Sequence, residues 1–540
     1  MTVRFQCDVQ KSILIIEGNY TEALEDRRMA FTYGNGKAAL RIAQTEYGMV
    51  RGTEGNNPKF TVFKGIPYAA PPVGDLRWRF PQPHEKWDGV RDCVEFGNAC
   101  YQFMGKSDDL RDSEDCLYLN VYTPASSVDE MLPVMMFIPG GAFMGGASNR
   151  PQYDGEGFCK RGVVVVTINY RTGPLGMLVH RDMEKENPYG SAGNIYYLDQ
   201  IFALKWVRNN IKNFGGDPDR ITLMGHSSGA VAATALACTP LTEGDLAGCI
   251  IESAPVTHDM MDPNDGPETS PFWMPKEEAF RRGDMFAEAA GCSSLDELRK
   301  LSCEELGAVY RKMPGYLCFF RGVIDGYVFP EDPCDVYISG RHHDIPYLVG
   351  GAGDEGALTT TFSRSAVLTR EKVQEYSKKF GDKADEFVRF CEGITDTDMA
   401  AAMTDANIYR ARMFAETQLS NHMRPAYVYC NIRRAPGDFQ GAYHGFEHWY
   451  VFQTLDRDWR QYAASDYELS NKMAEYWANF VKNGDPNGPE LPEWTPYTEN
   501  SRKSMMFDTS PWMGERKLPV FQQYKLDYFL DKYKDGFRKG

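Results

Sequence analysis

The chain has 540 residues, of which 42% are hydrophobic and 25% charged, and its formal net charge is −16. That composition supports a large buried core. The acidic balance, with no basic run, excludes a nucleic-acid binder, which needs clustered positive charge to displace counterions, and disfavours an anionic membrane surface. The 13 cysteines are scattered and form no C-x-x-C, so most read as core residues and a zinc ribbon or thioredoxin-like site has no support.

In chain order, the apolar run Ile13–Ile16 is too short for a secretion signal and acidic residues follow it. No stretch approaches the ~20 apolar residues of a membrane helix. A soluble, cytoplasmic protein without membrane insertion is expected, in which the sequon Asn19-Tyr20-Thr21 has no use. Buried strands are predicted at Val134–Ile138, Val163–Asn169, Ile221–Met224, Pro346–Val349 and Ala426–Asn431. These runs are continuously apolar rather than alternating, which suits strands covered on both faces. Between them, Leu198, Ile201, Phe202, Leu204, Val207 and Ile211 recur at helical steps, and Gly215-Gly216-Asp217-Pro218 stops that helix. The alternation predicts an α/β protein: a mostly parallel central sheet with helices on both faces. Active sites in such sheets lie beyond the carboxyl ends of the strands.

At one such end stands Gly225-His226-Ser227-Ser228-Gly229, between a strand and the small-residue helix AVAATALA. This is G-x-S-x-G in the strand–turn–helix context it requires. A turn this sharp crowds its neighbours, so glycine flanks Ser227 on both sides and the hydroxyl is pushed out at the top of the sheet. The following helix offers unpaired N–H groups to developing negative charge. A serine hydroxyl is a weak nucleophile and needs a histidine base, an orienting carboxylate and oxyanion donors.

Other motifs compete for attention. His444-Gly445-Phe446-Glu447-His448 reads as the H-x-x-E-H zinc signature. Gly445 is a poor helix resident, however, and a loop is the better reading, with Glu447 and His448 as a pocket-wall pair or the polar start of a helix. Gly351–Gly356 matches G-x-G-x-x-G, but Asp354 and Glu355 would face a pyrophosphate with like charge. Asp325 reads as a turn aspartate and His342-His343-Asp344 as a solvated turn. His226 neighbours Ser227, and adjacent side chains are expected to point apart.

Taken in order, FKGIPYAAPPVGDLRW (63–78), SEDCLYLNVYTP (113–124), PGGAF (139–143), INYRTGPLG (168–176), residues 199–230, VIDG (323–326), GDEG (353–356) and YHGFEH (443–448) resemble the type-B carboxylesterase family, which includes cholinesterases and bacterial para-nitrobenzyl esterases. The resemblance implies an α/β-hydrolase fold with large loop and helical insertions over residues 45–530, leaving an N-terminal extension, 1–44, and a C-terminal tail, 531–540. It implies Ser227 as nucleophile, Glu355 as acid, His444 as base, and the N–H groups of Gly141, Ala142 and Ser228 as oxyanion hole. It pairs Cys100 with Cys116 and Cys292 with Cys303, whereas a reducing cytoplasm implies free thiols; both readings stand. It also implies structural ion pairs between Arg77 and Glu114 and between Arg171 and Asp199. Two residues depart from the family: Pro139 replaces the usual His or Tyr before the oxyanion glycines, and His226 replaces a Glu that places negative charge near the base.

Phe143, Tyr316, Phe319 and Phe320 are candidate substrate-pocket walls, and the Pro-, Met- and aromatic-rich segment 255–275 a loop at the pocket mouth. No Trp lies between Tyr101 and Asp115, which disfavours a quaternary ammonium substrate. The expected function is hydrolysis of small to medium, neutral, fairly apolar esters through an acyl-enzyme, with no metal and no cofactor. The alternatives are a catalytically inactive cholinesterase-like binding protein and, behind it, a zinc hydrolase built on HGFEH.

Overall fold

The computed structural model describes residues 30–31, 39–105, 110–254, 272–316, 319–355, 373–374, 377–391, 407–437, 440–515, 517–518 and 520–533. Most of the N-terminal extension, most of the C-terminal tail and nearly all of the expected mouth loop lie outside these residues.

The centre is an 11-stranded mixed sheet. Its strands are β1 (Thr53–Glu54), β2 (Thr61–Pro67), β3 (Tyr118–Thr123), β4 (Leu132–Ile138), β5 (Val164–Ile168), β6 (Gly216–His226), β7 (Gly248–Glu252), β8 (Tyr347–Ala352), β9 (Tyr427–Asn431), β10 (Ser504–Phe507) and β11 (Trp512–Gly514). The spatial order is β11-β10-β9-β8-β7-β6-β4-β5-β3-β2-β1. From β5 through β4 to β10 every pairing is parallel; the edges are antiparallel.

The absence of alternation in these strands has the expected cause. In β4, Val134, Met136 and Ile138 enter one core, which they share with α1 (Ile195–Asn210) and α2 (Ser228–Leu236). Met135 and Phe137 enter a second core on the opposite face, with Leu469, Met473, Trp477 and Phe480 of α3 (Ala464–Asn483). Consecutive side chains of a strand point to opposite faces, and both faces here are covered. The helix stop falls where expected: a short 3₁₀ turn, Ile211–Phe214, follows α1, and Gly215 at φ 82° ends it.

Two ion pairs fasten the loops around the sheet. Arg171 donates from Nε and its backbone N–H to Asp199 Oδ2 at 2.8 and 3.0 Å, and from Nη2 to Oδ1 at 2.6 Å. Both side chains are buried. Arg77 is bidentate to Glu114, with Nε to Oε2 at 2.7 Å. Cys100 and Cys116 form a disulfide. Cys292 and Cys303 do not: both are free thiols. Burial, and then the nearby Glu114 carboxylate, push the Cys303 thiol up, and Cys292 Sγ faces the Ala290 carbonyl. The 342–344 segment is also not a solvated turn. His342 is buried, its Nε2 lies 2.9 Å from Gln418 Oε1, and burial pushes its pKa down to about 4. Asp325 does stand in a turn, where its Oδ1 accepts the N–H groups of Tyr327, Val328 and Phe329.

Removing one partner of a buried, fully bonded ion pair leaves an uncompensated charge, at a cost of about 3–5 kcal/mol. Arg171→Ala should therefore lower the urea unfolding midpoint sharply, whereas Arg51→Ala, which breaks an exposed pair with Asp92, should leave it nearly unchanged. Equal midpoints for the two variants would contradict this.

Candidate active site

The parallel register assembles the site. Ile138 stands opposite Gly225, His226 opposite Glu252, and Glu252 opposite Gly350. Four strand ends thus finish in one row, and the loops leaving them carry the residues singled out in the sequence.

Ser227 follows β6 and caps α2 at φ 56° and ψ −124°. Such a conformation is strained for any residue with a side chain. Its N–H donates to the Glu252 carbonyl at 2.9 Å, which fastens the turn to the neighbouring strand. The flanking glycines are required by contact: a Cβ on Gly225 would lie 2.0 Å from the Gly229 carbonyl oxygen, and one on Gly229 would lie 2.1 Å from that of Ile138. Ser227 is partly exposed, whereas His226 and Ser228 beside it are buried.

The loop after β4 packs against this turn. A Cβ on Gly140 would fall 2.8 Å from the Ser227 Cβ. Ala142 and Phe143 both have positive φ, 51° and 58°, and the Gly141 carbonyl accepts the N–H groups of Met144 and Gly145 at 2.9 and 3.1 Å. The Tyr170 hydroxyl donates to the Pro139 carbonyl at 2.9 Å, so the departure at Pro139 keeps an anchored main chain. Among the described residues, the N–H groups of Gly141, Ala142 and Ser228 have no protein acceptor.

Glu355 lies just beyond β8 and His444 in the loop after β9. His444 Nδ1 is hydrogen-bonded to Glu355 Oε2, and Glu355 Oε1 accepts from Ser253 Oγ and from the Ala352 N–H, the latter at 2.9 Å. Burial opposes charge on Glu355, but His444 and these donors outweigh it and hold the carboxyl below its usual value. Burial likewise lowers His444, and the carboxylates of Glu355 and Glu447 outweigh it, so its pKa is raised. Asp354, next to Glu355, has a different job: its Oδ2 accepts the Ala442 N–H and its own N–H donates to the Ala442 carbonyl, both at 2.9 Å, tying the His444 loop to the Glu355 loop. Ser227 and His444 are not hydrogen-bonded to each other in this structure; such bonds are often formed only with substrate in place.

HGFEH is a turn, not a helix, up to His448, which opens the short helix His448–Val451 ahead of α3. Its two histidines serve different carboxylates: His444 that of Glu355, and His448, through Nε2 at 2.9 Å, that of Glu252. Glu447 is buried, with its Oε1 3.2 Å from Ser253 Oγ. Burial, with Glu355 and Glu252 nearby and against the pull of His448, pushes Glu447 up to about 7. The Ser253 hydroxyl thus stands between the two carboxyl groups, hydrogen-bonded to Glu355 and within reach of Glu447.

The expectation that His226 points away from the site is overturned. Its ring lies 4.5 Å, centroid to centroid, from that of His444 and 4.2 Å from that of His448. Sequence reasoning missed Ser253 and Glu252 altogether; their signal was a second strand, β7, ending in polar residues. Phe319 and Phe320 are not open walls but core, packed on Tyr310 and Phe286, and Tyr316 is exposed. Phe143 lies in the loop after β4, edge-on to Tyr196 at 4.9 Å. A separate cleft of about 750 Å³, lined by Glu54, Asp154, Glu156, Lys160 and Arg457 among others, contains none of the residues above.

The profile of the carboxylesterase family matches residues 39–521. The chain belongs to the carboxylesterase family. It is 34% identical to the fumonisin B1 esterase of Sphingopyxis macrogoltabida, over 90% of this chain and 92% of that one. It is 34% identical to the para-nitrobenzyl esterase of Bacillus subtilis (strain 168), over 87% and 95%. A solved para-nitrobenzyl (PNB) esterase superposes with a TM-score of 0.76 at 31% identity, covering 90% of this chain and 99% of the other. The fold is thus the α/β-hydrolase fold and the protein a carboxylesterase, with small-molecule esters as its substrates. Among its described residues no helix is long and apolar enough to cross a membrane.

Because Glu355 is what raises His444 against burial, Glu355→Gln should remove that support. The acid limb of kcat/KM should move to lower pH while kcat falls by about 10⁴-fold. A variant that keeps wild-type kcat and an unmoved limb would show that Glu355 does not orient His444.

Proposed function

We propose that this carboxylesterase is a serine hydrolase in which Ser227, His444 and Glu355 act as a triad through an acyl-enzyme. His444 takes the Ser227 proton as the hydroxyl oxygen attacks the ester carbonyl, and Glu355 holds the ring with Nδ1–H toward itself and Nε2 toward the serine. The N–H groups of Gly141, Ala142 and Ser228 receive the oxyanion, each donor being worth about 3 kcal/mol in the transition state. His444 returns the proton to the departing alkoxide, then activates a water that releases the acid. The observation that carries this reading is the His444–Glu355 hydrogen bond beside a strained Ser227 elbow. A protein selected only for binding has no physical need for that strain.

We further read the substrate as a small to medium, neutral, fairly apolar ester. Phe143 against Tyr196 and Tyr197 supplies an aromatic wall next to the oxyanion loop. Phe103, an aromatic residue within the segment that has no Trp, is buried against Tyr101, which argues against quaternary ammonium recognition.

Hydrolysis of p-nitrophenyl butyrate should be lost in Ser227→Ala and be indifferent to a strong chelator. Activity that survives Ser227→Ala but dies with the chelator would reverse the assignment in favour of HGFEH chemistry. Wild-type kcat/KM should rise with pH through a limb set above an ordinary imidazole, because the base must be neutral and its folded pKa is raised. A flat profile from about pH 5 to 8 would count against His444 as base.

A further inference from the structure

The triad reading leaves His226 without a role, although its ring is buried in contact with the proposed base. We propose that His226 is a positioning residue: its ring braces the His444 imidazole against Glu355, and the His448–Glu252 pair braces His226 from behind. This rests on the Ser227–His444–Glu355 reading.

The geometry supplies the argument. His444 is held to Glu355 at Nδ1, and a single hydrogen bond leaves a ring free to swing about it. The His226 ring, 4.5 Å away and tilted by 41°, lies against that swing. His226 is itself boxed in. His448 meets it edge to face at 4.2 Å and 88°. His448 cannot yield, because its Nε2 is bonded to Glu252 at 2.9 Å and Glu252 accepts from Trp477 Nε1 at 2.9 Å. The backbone of Gly445 closes another side: a Cβ there would lie 3.0 Å from His226 Cε1 and 3.6 Å from His448 Nδ1. Gly445 also has φ 78°, so a side chain is disfavoured twice over.

His226 Nε2 is buried and has no partner among the described residues, so packing rather than a bond at that nitrogen holds this end of the ring. Burial, helped by His448 and His444, pushes the His226 pKa well down. The ring is therefore neutral and places no positive charge against the imidazolium that forms on His444. The charged and titratable groups around the pair are Glu355 and Glu447 facing His444, and His448, backed by Glu252, facing His226.

The test uses p-nitrophenyl butyrate with His226→Gln and His226→Phe, each normalised by fluorophosphonate active-site titration and checked by circular dichroism and thermal melting. Gln removes the ring. Phe keeps a ring at the position without its nitrogens. A ring displaced by about 1 Å can cost about 10²-fold. His226→Gln should therefore lose about tenfold or more in kcat with KM nearly unchanged, and its acid limb should move to lower pH as His444 loses part of its pairing with Glu355. His226→Phe should recover most of that loss. A folded His226→Gln with wild-type kcat and an unmoved limb would overturn the proposal, as would a folded His226→Phe no better than Gln. If neither variant folds, Glu252→Gln decides: isosteric and away from the reacting atoms, it should loosen His448 and lower kcat in the same direction, and wild-type behaviour would overturn the proposal. Ser227→Ala separates the two readings, since activity there would refute the triad whatever His226 does.

Discussion

Ser227 is held at φ 56° and ψ −124°, and the rest of the site is arranged around keeping it there. A side chain in that region costs of order 1–3 kcal/mol and persists only where the surroundings over-determine it. Here they do. The Ser227 N–H is tied to β7, α2 starts at the next residue, and Gly225 and Gly229 meet at a distance that admits no Cβ. The loop carrying Gly140–Phe143 then closes on the turn because Gly140 also lacks a side chain. Parallel pairing places the ends of β4, β6, β7 and β8 in one row, so these loops arrive together without further design.

Charge is handled in the same row. Three carboxylates, Glu252, Glu355 and Glu447, and two imidazoles, His226 and His448, are buried, with the half-buried imidazole of His444 packed against them. Isolated charges there would be prohibitive. Each is settled separately: Glu355 with His444, Glu252 with His448 and Trp477, Glu447 by a pKa raised to about 7 beside Ser253, and His226 by staying neutral. Two imidazole–carboxylate pairs stand on either side of one neutral ring. Only the front pair belongs to the proposed triad.

Much of this was legible in the sequence because its physical cause is local. Unbroken apolar runs announce strands covered on both faces, as in β4 and β5. G-x-S-x-G announces a turn too tight for side chains, and an ordered set of motifs announces the family. What was not legible depends on residues that meet only through folding. His226 was expected to point away because strand neighbours do; the reversal of the backbone at Ser227 breaks that rule, and His444 arrives from another loop. Phe319 and Phe320 form an apolar pair that a core and a pocket demand equally. His342 is buried because Gln418, from a distant helix, meets its Nε2.

The central claim is that Ser227 is the nucleophile. The most direct measurement is to inactivate the enzyme with a fluorophosphonate, count the adducts by intact mass, and map them by peptide sequencing. One adduct per chain is expected, on Ser227, with activity lost in proportion to labelling. An adduct on another residue, or full activity in a chain labelled at Ser227, would contradict it.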